Sequence, residues 1–405
     1  MKLPKFSTNW FYVALTATFA VSIVLRLWNV DRPVADWHSW RQSDTAAVAR
    51  NFIKFGFDPL RPRFDDVSNI PSGLDNPMGW RMVEFPLYQF ISAGLFSFFG
   101  FTSIEVWLRI VTIVASSLTA VLLGLILGRL DKPLVGVLAA VVYAVLPYSV
   151  YYGRTILPDP FMVFWAVFAV YLLVISDNRY LILSAICAGV ALLVKPFAVF
   201  LLLPIPYLLL KRFSFSRLLL YSLISLVPLW WWRSWITQFP EGIPAFTWLL
   251  NSNNIRFKGA WFHWLFAERI GNLMLGYWGL IPLGFGLVTR DRIARLWLLG
   301  GLLYLIIIAT GNVQHDYYQI LLLPIIAVYV AKGFALLFRQ SFLLFLVSFL
   351  FMLAFSWFTI RTYYWINHPE IVEAGRAADR LLPPDAILIA SYNCDTAFLY
   401  QTNRQ

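Results

Sequence analysis

The sequence predicts an all-α polytopic membrane protein of about eleven transmembrane helices, N-terminus in and C-terminus out. Three observations carry this. Of 405 residues, 60% are apolar and only 13% are charged, whereas soluble domains carry about 25% charged residues. Aromatic residues make up 18% of the chain, and such rings gather at the two membrane interfaces. The apolar residues also fall into stretches long enough to cross about 30 Å of hydrocarbon at 1.5 Å per residue. An ordinary soluble domain is thereby excluded.

The stretches lie near 9–28, 106–127, 134–150, 160–176, 180–194, 196–210, 218–236, 272–289, 296–310, 318–338 and 341–360. A further apolar segment, 85–101, contains Pro86, Gln89, Gly94 and Gly100, and its short length suits an interfacial segment as well as a span. Charge parity decides. With 85–101 kept outside, the inner loops hold Lys2, Lys5, Arg129, Lys132, Arg179, Lys211, Arg212, Arg217, Arg290, Arg292, Arg295, Lys332 and Arg339 against only Asp131, Asp177 and Asp291. The remaining chain is nearly balanced, with nineteen Lys/Arg and eighteen Asp/Glu. Counting 85–101 as a span places several of these cations outside, against the positive-inside rule. The net charge of +11 therefore records orientation, and a nucleic-acid partner is not expected. The first span reads as a retained helix, since Arg26, Trp28 and Asp31 follow it with no small-residue cleavage site.

The membrane domain takes residues 1–361, with a long outer loop 30–84, the interfacial segment 85–101 and a second outer loop 237–269. In the first loop Val48, Phe52 and Phe55 recur at i, i+4, i+7, predicting an amphipathic juxtamembrane helix over 45–55 that lies on the outer leaflet and stops at Gly56. The second loop interleaves Trp248, Trp261 and Trp264 with Arg256, Lys258 and Glu268, as an interfacial aromatic belt or a carbohydrate platform does. The outer tail, 362–405, reads as a helix over 370–382, a Pro383-Pro384 stop and a short β-type run over 386–390. This α/β-like tail has too little chain to bury its own core, so it either docks on the membrane part or is cut short. Cys187 and Cys394 are expected on different levels and unpaired, and no Cys/His metal spacing is present.

Charge at membrane depth is costly and so marks candidate function. On this topology Asp36, His38, Arg41, Asp44, Glu84, Arg154, Asp159, Lys195 and the run His315-Asp316-Tyr317-Tyr318 all reach the outer level. Each has a plainer reading. Asp44 and Asp159 suit helix N-caps, the latter with Pro160 behind it, and Arg154 suits an interfacial anchor. Lys195, between two apolar runs and before Pro196, suits a re-entrant bend facing a polar cavity. Two carboxylates beside Arg, Lys and His fit displacement of a phosphate leaving group: one acid takes the proton of an acceptor hydroxyl while the cations stabilise the departing phosphate. At a membrane-embedded site that phosphate is lipid-linked. Gly-rich phosphate loops, GxSxG and HExxH motifs are absent from the sequence, which argues against nucleotide-driven pumping, serine hydrolysis and zinc proteolysis. The rival class is a transporter or flippase of a lipid-linked or anionic solute, which also uses intramembrane charge and broken helices; no internal repeat supports it.

Three features in this order resemble the type C superfamily of membrane glycosyltransferases, in the branch of protein O-mannosyltransferases and bacterial aminoarabinose transferases. They are an outer Asp-bearing loop after the first span, Arg154-Thr155-Ile156-Leu157-Pro158-Asp159-Pro160 opening a later span, and His315-Asp316-Tyr317-Tyr318 before a late Leu-rich span. The run His38-Ser39-Trp40-Arg41-Gln42-Ser43-Asp44-Thr45, followed by Ala49-Arg50-Asn51-Phe52, looks like the first-loop signature of a bacterial subgroup. The resemblance covers roughly residues 1–340.

It implies inverting transfer of a monosaccharide from a polyprenyl-phosphate donor to a glycan, lipid or protein acceptor, at the outer face of an inner membrane. By motif, Asp44 is the acceptor-activating base and Asp159 the second acid, with Asp36 competing for the first role because the family's first-loop acid often lies earlier. Arg154, Lys195 and His315 face the donor phosphate, and Arg41, Tyr317 and Tyr318 the substrate. The aminoarabinose branch carries a phosphate-binding Lys-Pro-Pro-Leu where this chain has Glu84-Phe85-Pro86-Leu87, leaving Glu84 for sugar or metal. Some members use a divalent metal ion; this sequence demands no cofactor.

Overall fold

The computed structural model describes residues 8–176, 179–212, 215–383, 385–390 and 396–404. Lys2, Lys5, Asp177, Pro384 and Cys394, invoked above, lie outside these ranges. The regular elements among the described residues are helices, with one isolated β-bridge between Arg63 and Trp80 in the first outer loop.

The helices are α1 (Thr8–Leu27), α2 (Ser39–Phe55), α3 (Leu87–Phe99), α4 (Ile104–Leu130), α5 (Pro133–Val145), α6 (Pro147–Tyr152), α7 (Asp159–Ser176), α8 (Leu181–Val194), α9 (Ala198–Leu201), α10 (Pro204–Arg212) and α11 (Phe215–Ile236). After the second outer loop, with α12 (Trp248–Asn251) and α13 (Gly259–Phe262), a π-helix runs His263–Met274. Then come α14 (Leu280–Leu287), α15 (Arg292–Ile307), α16 (Ala309–Gln314), a 3-10 turn (Asp316–Leu322), α17 (Leu323–Gln340), α18 (Phe342–Trp365), α19 (Pro369–Leu381) and α20 (Thr396–Thr402).

Among the described residues, five helical segments are long and apolar enough to cross a membrane: Asn9–Leu27, Ile104–Leu130, Phe215–Ile236, Asp316–Gln340 and Phe342–Leu381. Others among the expected spans are broken, and proline does the breaking. Pro147 divides the 134–150 stretch into α5 and α6, because it has no N–H to give the helix ladder. The carbonyls freed there are taken by Arg26, whose fully buried guanidinium donates to Ala144 O at 2.9 Å and Tyr143 O at 3.4 Å. Pro204 similarly separates α9 from α10. The 85–101 segment yields only the 13-residue α3, about 20 Å long and so shorter than the hydrocarbon is thick.

Small residues bring the central helices together, as expected where lipid supplies no hydrophobic drive between helices. A Cβ on Gly136 of α5 would lie 2.4 Å from Gly124 O of α4, and one on Gly333 of α17 would lie 1.7 Å from Pro282 O of α14. Lys332, buried in α17, reaches Asp131 at 3.0 Å and Asp291 at 3.8 Å. Two loops expected on one side of the membrane thus meet on a single cation.

Two expectations change. The helix in the first outer loop starts at Ser39, six residues before Thr45, and is buried along most of its length rather than lying on the leaflet. Its apolar stripe of Val48 and Phe52 packs into the core, while Arg50 pairs with Asp65 at 2.5 Å and donates to Tyr400 O at 2.6 Å, so protein covers its polar face too. Gly56 does end it, at φ 104°. In the tail the expected β-type run 386–390 forms no strand: no ladder partner faces it among the described residues, and a lone strand cannot satisfy its backbone. The tail is helical and docks on the first outer loop, through Arg50, a Gln401–Val34 O bond of 3.3 Å and the Arg50 guanidinium 4.3 Å above the Tyr400 ring.

Candidate functional site

Ser39 to Phe55 forms α2 because a left-handed residue, His38 at φ 58°, turns the chain into it. Asp44 therefore lies inside the helix, more than one turn from its start, and its N-cap reading is overturned. Glu84 stands just before Pro86, the residue that caps α3. Lys195 is the residue after α8, in extended conformation, where Pro196 forces the bend. His315 follows α16 in the same way, before the 3-10 turn.

These chain ends surround one cavity of about 820 Å³. Of the residues singled out in the sequence, Arg41, Asp44, Glu84, Lys195, His315, Tyr317 and Tyr318 line it. Three do not. Asp159 stands behind Lys195, its two oxygens each 2.8 Å from Nζ. Asp36 is taken by Gln42 Nε2 at 2.6 Å. Arg154, expected to face a donor phosphate, is enclosed by Trp28, Tyr151 and Tyr364, with ring centroids at 5.4, 5.6 and 5.0 Å, and donates to Trp28 O. Burial there lowers its pKa. The aromatic box holds it as an anchor between the end of α1, α6 and α18.

Sequence reasoning missed Arg81, Asp66, Arg233 and Thr396, which also line the cavity. Arg81 had a signal: it lies three residues before Glu84, at the same turn. Arg233 and Thr396 had none, since nothing in the sequence brings α11 or the tail to α2. Trp248, one of the second-loop tryptophans, joins the lining, whereas Trp261 is buried and Trp264 exposed.

The charges form pairs. Arg81 Nη2 lies 3.0 Å from Asp44 Oδ2 and Arg41 Nη2 lies 2.7 Å from Glu84 Oε1. Asp44 Oδ1, Glu84 Oε2 and Gln89 Oε1 are buried without a hydrogen-bond partner among the described residues, and all three residues border a small recess that shares Arg41, Asp44, Arg81 and Glu84 with the main cavity. Each acid thus has one neutralised oxygen and one open lone pair. Burial raises the Asp44 pKa despite Arg81 and Arg41. Burial also acts upward on Glu84, but Arg41, Lys195 and Arg81 outweigh it and hold this acid below its ordinary range. Two carboxylates in one site are thereby pushed apart, the pattern that separates acid-base roles.

His315 sits in an aromatic cage, 5.4 Å from the Tyr317 ring, 5.6 Å from Trp40 and 5.8 Å from Trp248. Burial, helped by the neighbouring His38, lowers its pKa to about 4, so at neutral pH it offers an N–H, not a cation. No group of three or more His, Cys, Asp or Glu suited to a metal ion occurs among the described residues. Asp44 and Glu84 are each already neutralised by arginine, so these residues do not fit a divalent ion.

With this geometry in place, the model of the dolichyl-phosphate-mannose-protein mannosyltransferase family matches residues 77–235. No curated protein matches the chain by sequence. Among solved structures the chain resembles ArnT from Cupriavidus metallidurans bound to undecaprenyl phosphate, at 14% identity and a TM-score of 0.63, over 98% of this chain and 75% of that one. It also resembles the apo oligosaccharyltransferase of Archaeoglobus fulgidus, at 12% identity and a TM-score of 0.65, over 99% of this chain and 64% of that one. The same archaeal enzyme, AglB, in complex with an inhibitory peptide and a dolichol-phosphate matches at 13% identity and a TM-score of 0.61, over 94% and 59%. The chain thus spans three quarters of ArnT and under two thirds of AglB. At such identities the likeness shows the fold alone, one shared with ArnT and AglB.

Proposed function

We propose that this chain transfers a monosaccharide from a polyprenyl-phosphate carrier to an acceptor at the outer face of the inner membrane, with inversion. The observation that carries the reading is that Asp44, with an unpaired oxygen, shares one cavity with Lys195, Arg81, Arg233 and the His315 N–H. The fold likeness to proteins described with undecaprenyl phosphate and dolichol-phosphate supports a lipid-linked donor.

Asp44 Oδ1 takes the proton of an acceptor hydroxyl as that oxygen bonds the anomeric carbon. The bond from that carbon to the phosphate oxygen breaks, and the phosphate leaves with the electron pair from the opposite face. Lys195, Arg81 and the His315 N–H stabilise the charge it gains. Asp159 acts as second acid by holding Lys195. Arg41 and Glu84, with Tyr317 and Tyr318, bind sugar. Asp36 lies outside the cavity lining, which favours Asp44 as base.

The test is binding followed by turnover in nanodiscs. Undecaprenyl phosphate should quench tryptophan fluorescence saturably through Trp40 and Trp248, and a panel of radiolabelled undecaprenyl-phosphate monosaccharides should yield one that loses its sugar to an envelope extract. Absence of saturable binding and of sugar release from every donor overturns the reading. Movement of intact donor between leaflets without sugar release favours a flippase instead.

A further inference from the structure

Asp316 lies between two residues that line the cavity, His315 and Tyr317, yet does not line it itself. Its side chain is almost wholly buried and accepts donors from several distant segments. Oδ1 accepts from His38 Nε2 and from the Tyr152 hydroxyl at 2.8 Å. Oδ2 accepts from Trp37 Nε1 at 3.0 Å and from the Tyr363 hydroxyl. The Tyr148 hydroxyl donates to its backbone carbonyl, and Arg269 Nη1 stands 4.0 Å from Oδ2. With both oxygens saturated, this acid is unsuited to take a substrate proton or ligate an ion.

What those donors are attached to gives the cluster its meaning. His38 is the left-handed residue that starts α2, so its grip sets the direction in which Arg41 and Asp44 leave the loop. Tyr148 and Tyr152 belong to α6, and Tyr363 to the end of α18. Arg269 belongs to the π-helix, a rare geometry found frequently at functional sites, and it also donates to Val313 O at 3.1 Å, on the segment leading to His315. A single carboxylate thus ties the wall that carries Asp44 to the wall that carries His315, Tyr317 and Tyr318.

We propose that Asp316 is a positioning residue of the transfer reaction, a clamp through His38 that holds those two walls in register. It rests on the function proposed above. A catalytic pair misplaced by about 1 Å loses on the order of a hundredfold in rate, so such a clamp acts on turnover more than on lipid affinity. Asn at 316 turns two N–H donors toward a cluster of donors. Asn at 38 tolerates the left-handed backbone while shortening the link, so it separates loss of the clamp from backbone strain.

The experiment compares wild type, Asp316→Asn, His38→Asn and the double variant in nanodiscs. Each single variant should lower kcat at least tenfold with the undecaprenyl phosphate Kd within threefold of wild type, and the double variant should be no worse than the poorer single. Amide hydrogen exchange should quicken in peptides covering 37–44 and 313–318 together, and stay unchanged in 104–130. Turnover within twofold of wild type, unchanged exchange in both peptides, or equal collapse of Tm, Kd and kcat overturns the clamp. Should Asp316→Asn not fold, His38→Asn carries the same test. If wild type neither binds the lipid nor transfers sugar, the proposed function fails, and hydrogen exchange alone decides the clamp.

Discussion

Lys195 Nζ stands 2.8 Å from both oxygens of Asp159, a buried pair joining the bend after α8 to the first turn of α7. The sequence offered these two as separate members of a site. The structure makes them one unit, with Lys195 toward the cavity and Asp159 behind it. Removing one partner leaves a buried charge uncompensated, at a cost of about 3–5 kcal/mol, whereas removing both is far cheaper. Lys195→Met should therefore lower Tm more than Lys195→Met combined with Asp159→Asn, measured by differential scanning fluorimetry in detergent. Equal losses in the two variants would argue against the pairing.

Asp44→Asn should cut sugar transfer by about 10²–10⁴-fold, the range of a general base, with unchanged protein level. Asp36→Asn, whose side chain serves Gln42, should cost less than tenfold. Transfer rates with the active donor from the panel test both, and a reversed order would make Asp36 the base.

Arg81→Ala removes the cation that faces Asp44 at 3.0 Å. Arg81 lowers the Asp44 pKa against the upward push of burial, so its loss raises that pKa further. With Asp44 as the proposed base, transfer needs its carboxylate form, and the acid limb of the kcat/KM profile should move to higher pH. A limb that stays in place dissociates Asp44 from that titration.

His315 carries a pKa lowered from 6.5 to about 4 by burial. The unfolded chain then binds more protons than the folded one between those values, and stability falls as pH drops from about 6.5 toward 4. His315→Gln should flatten this part of the Tm-against-pH curve relative to wild type. A curve of unchanged slope would show that His315 does not contribute to it.

Gly136→Val should destabilise the helix pair α4 and α5, since any Cβ there meets Gly124 O at 2.4 Å. Overpacking of this kind costs about 1–3 kcal/mol, read as a lower Tm and reduced folded yield. Gly94→Ala, where a Cβ meets nothing within 4 Å, is the neutral control.

Local chemistry explains what was legible. Apolar runs become helices wherever they occur in lipid, because an unpaired backbone is intolerable there, and Gly56, Pro147 and Pro196 act on their own neighbours. The chain by itself therefore determined an all-helical membrane protein, the stop of α2, the bend at Lys195 and the acids and bases that meet at one level. It did not determine which of them share a cavity. Arg154 and Lys195 look alike in sequence, each beside a proline-marked break; only packing encloses one in aromatic rings and turns the other toward Asp44's cavity. The tail's strand signal was real in pattern but had no partner among the described residues, and its α20 gained one in α2, hundreds of residues away. Arg233, Thr396 and the donors around Asp316 join the site through such long-range contacts, which depend on burial and helix packing and leave no mark in local residue spacing.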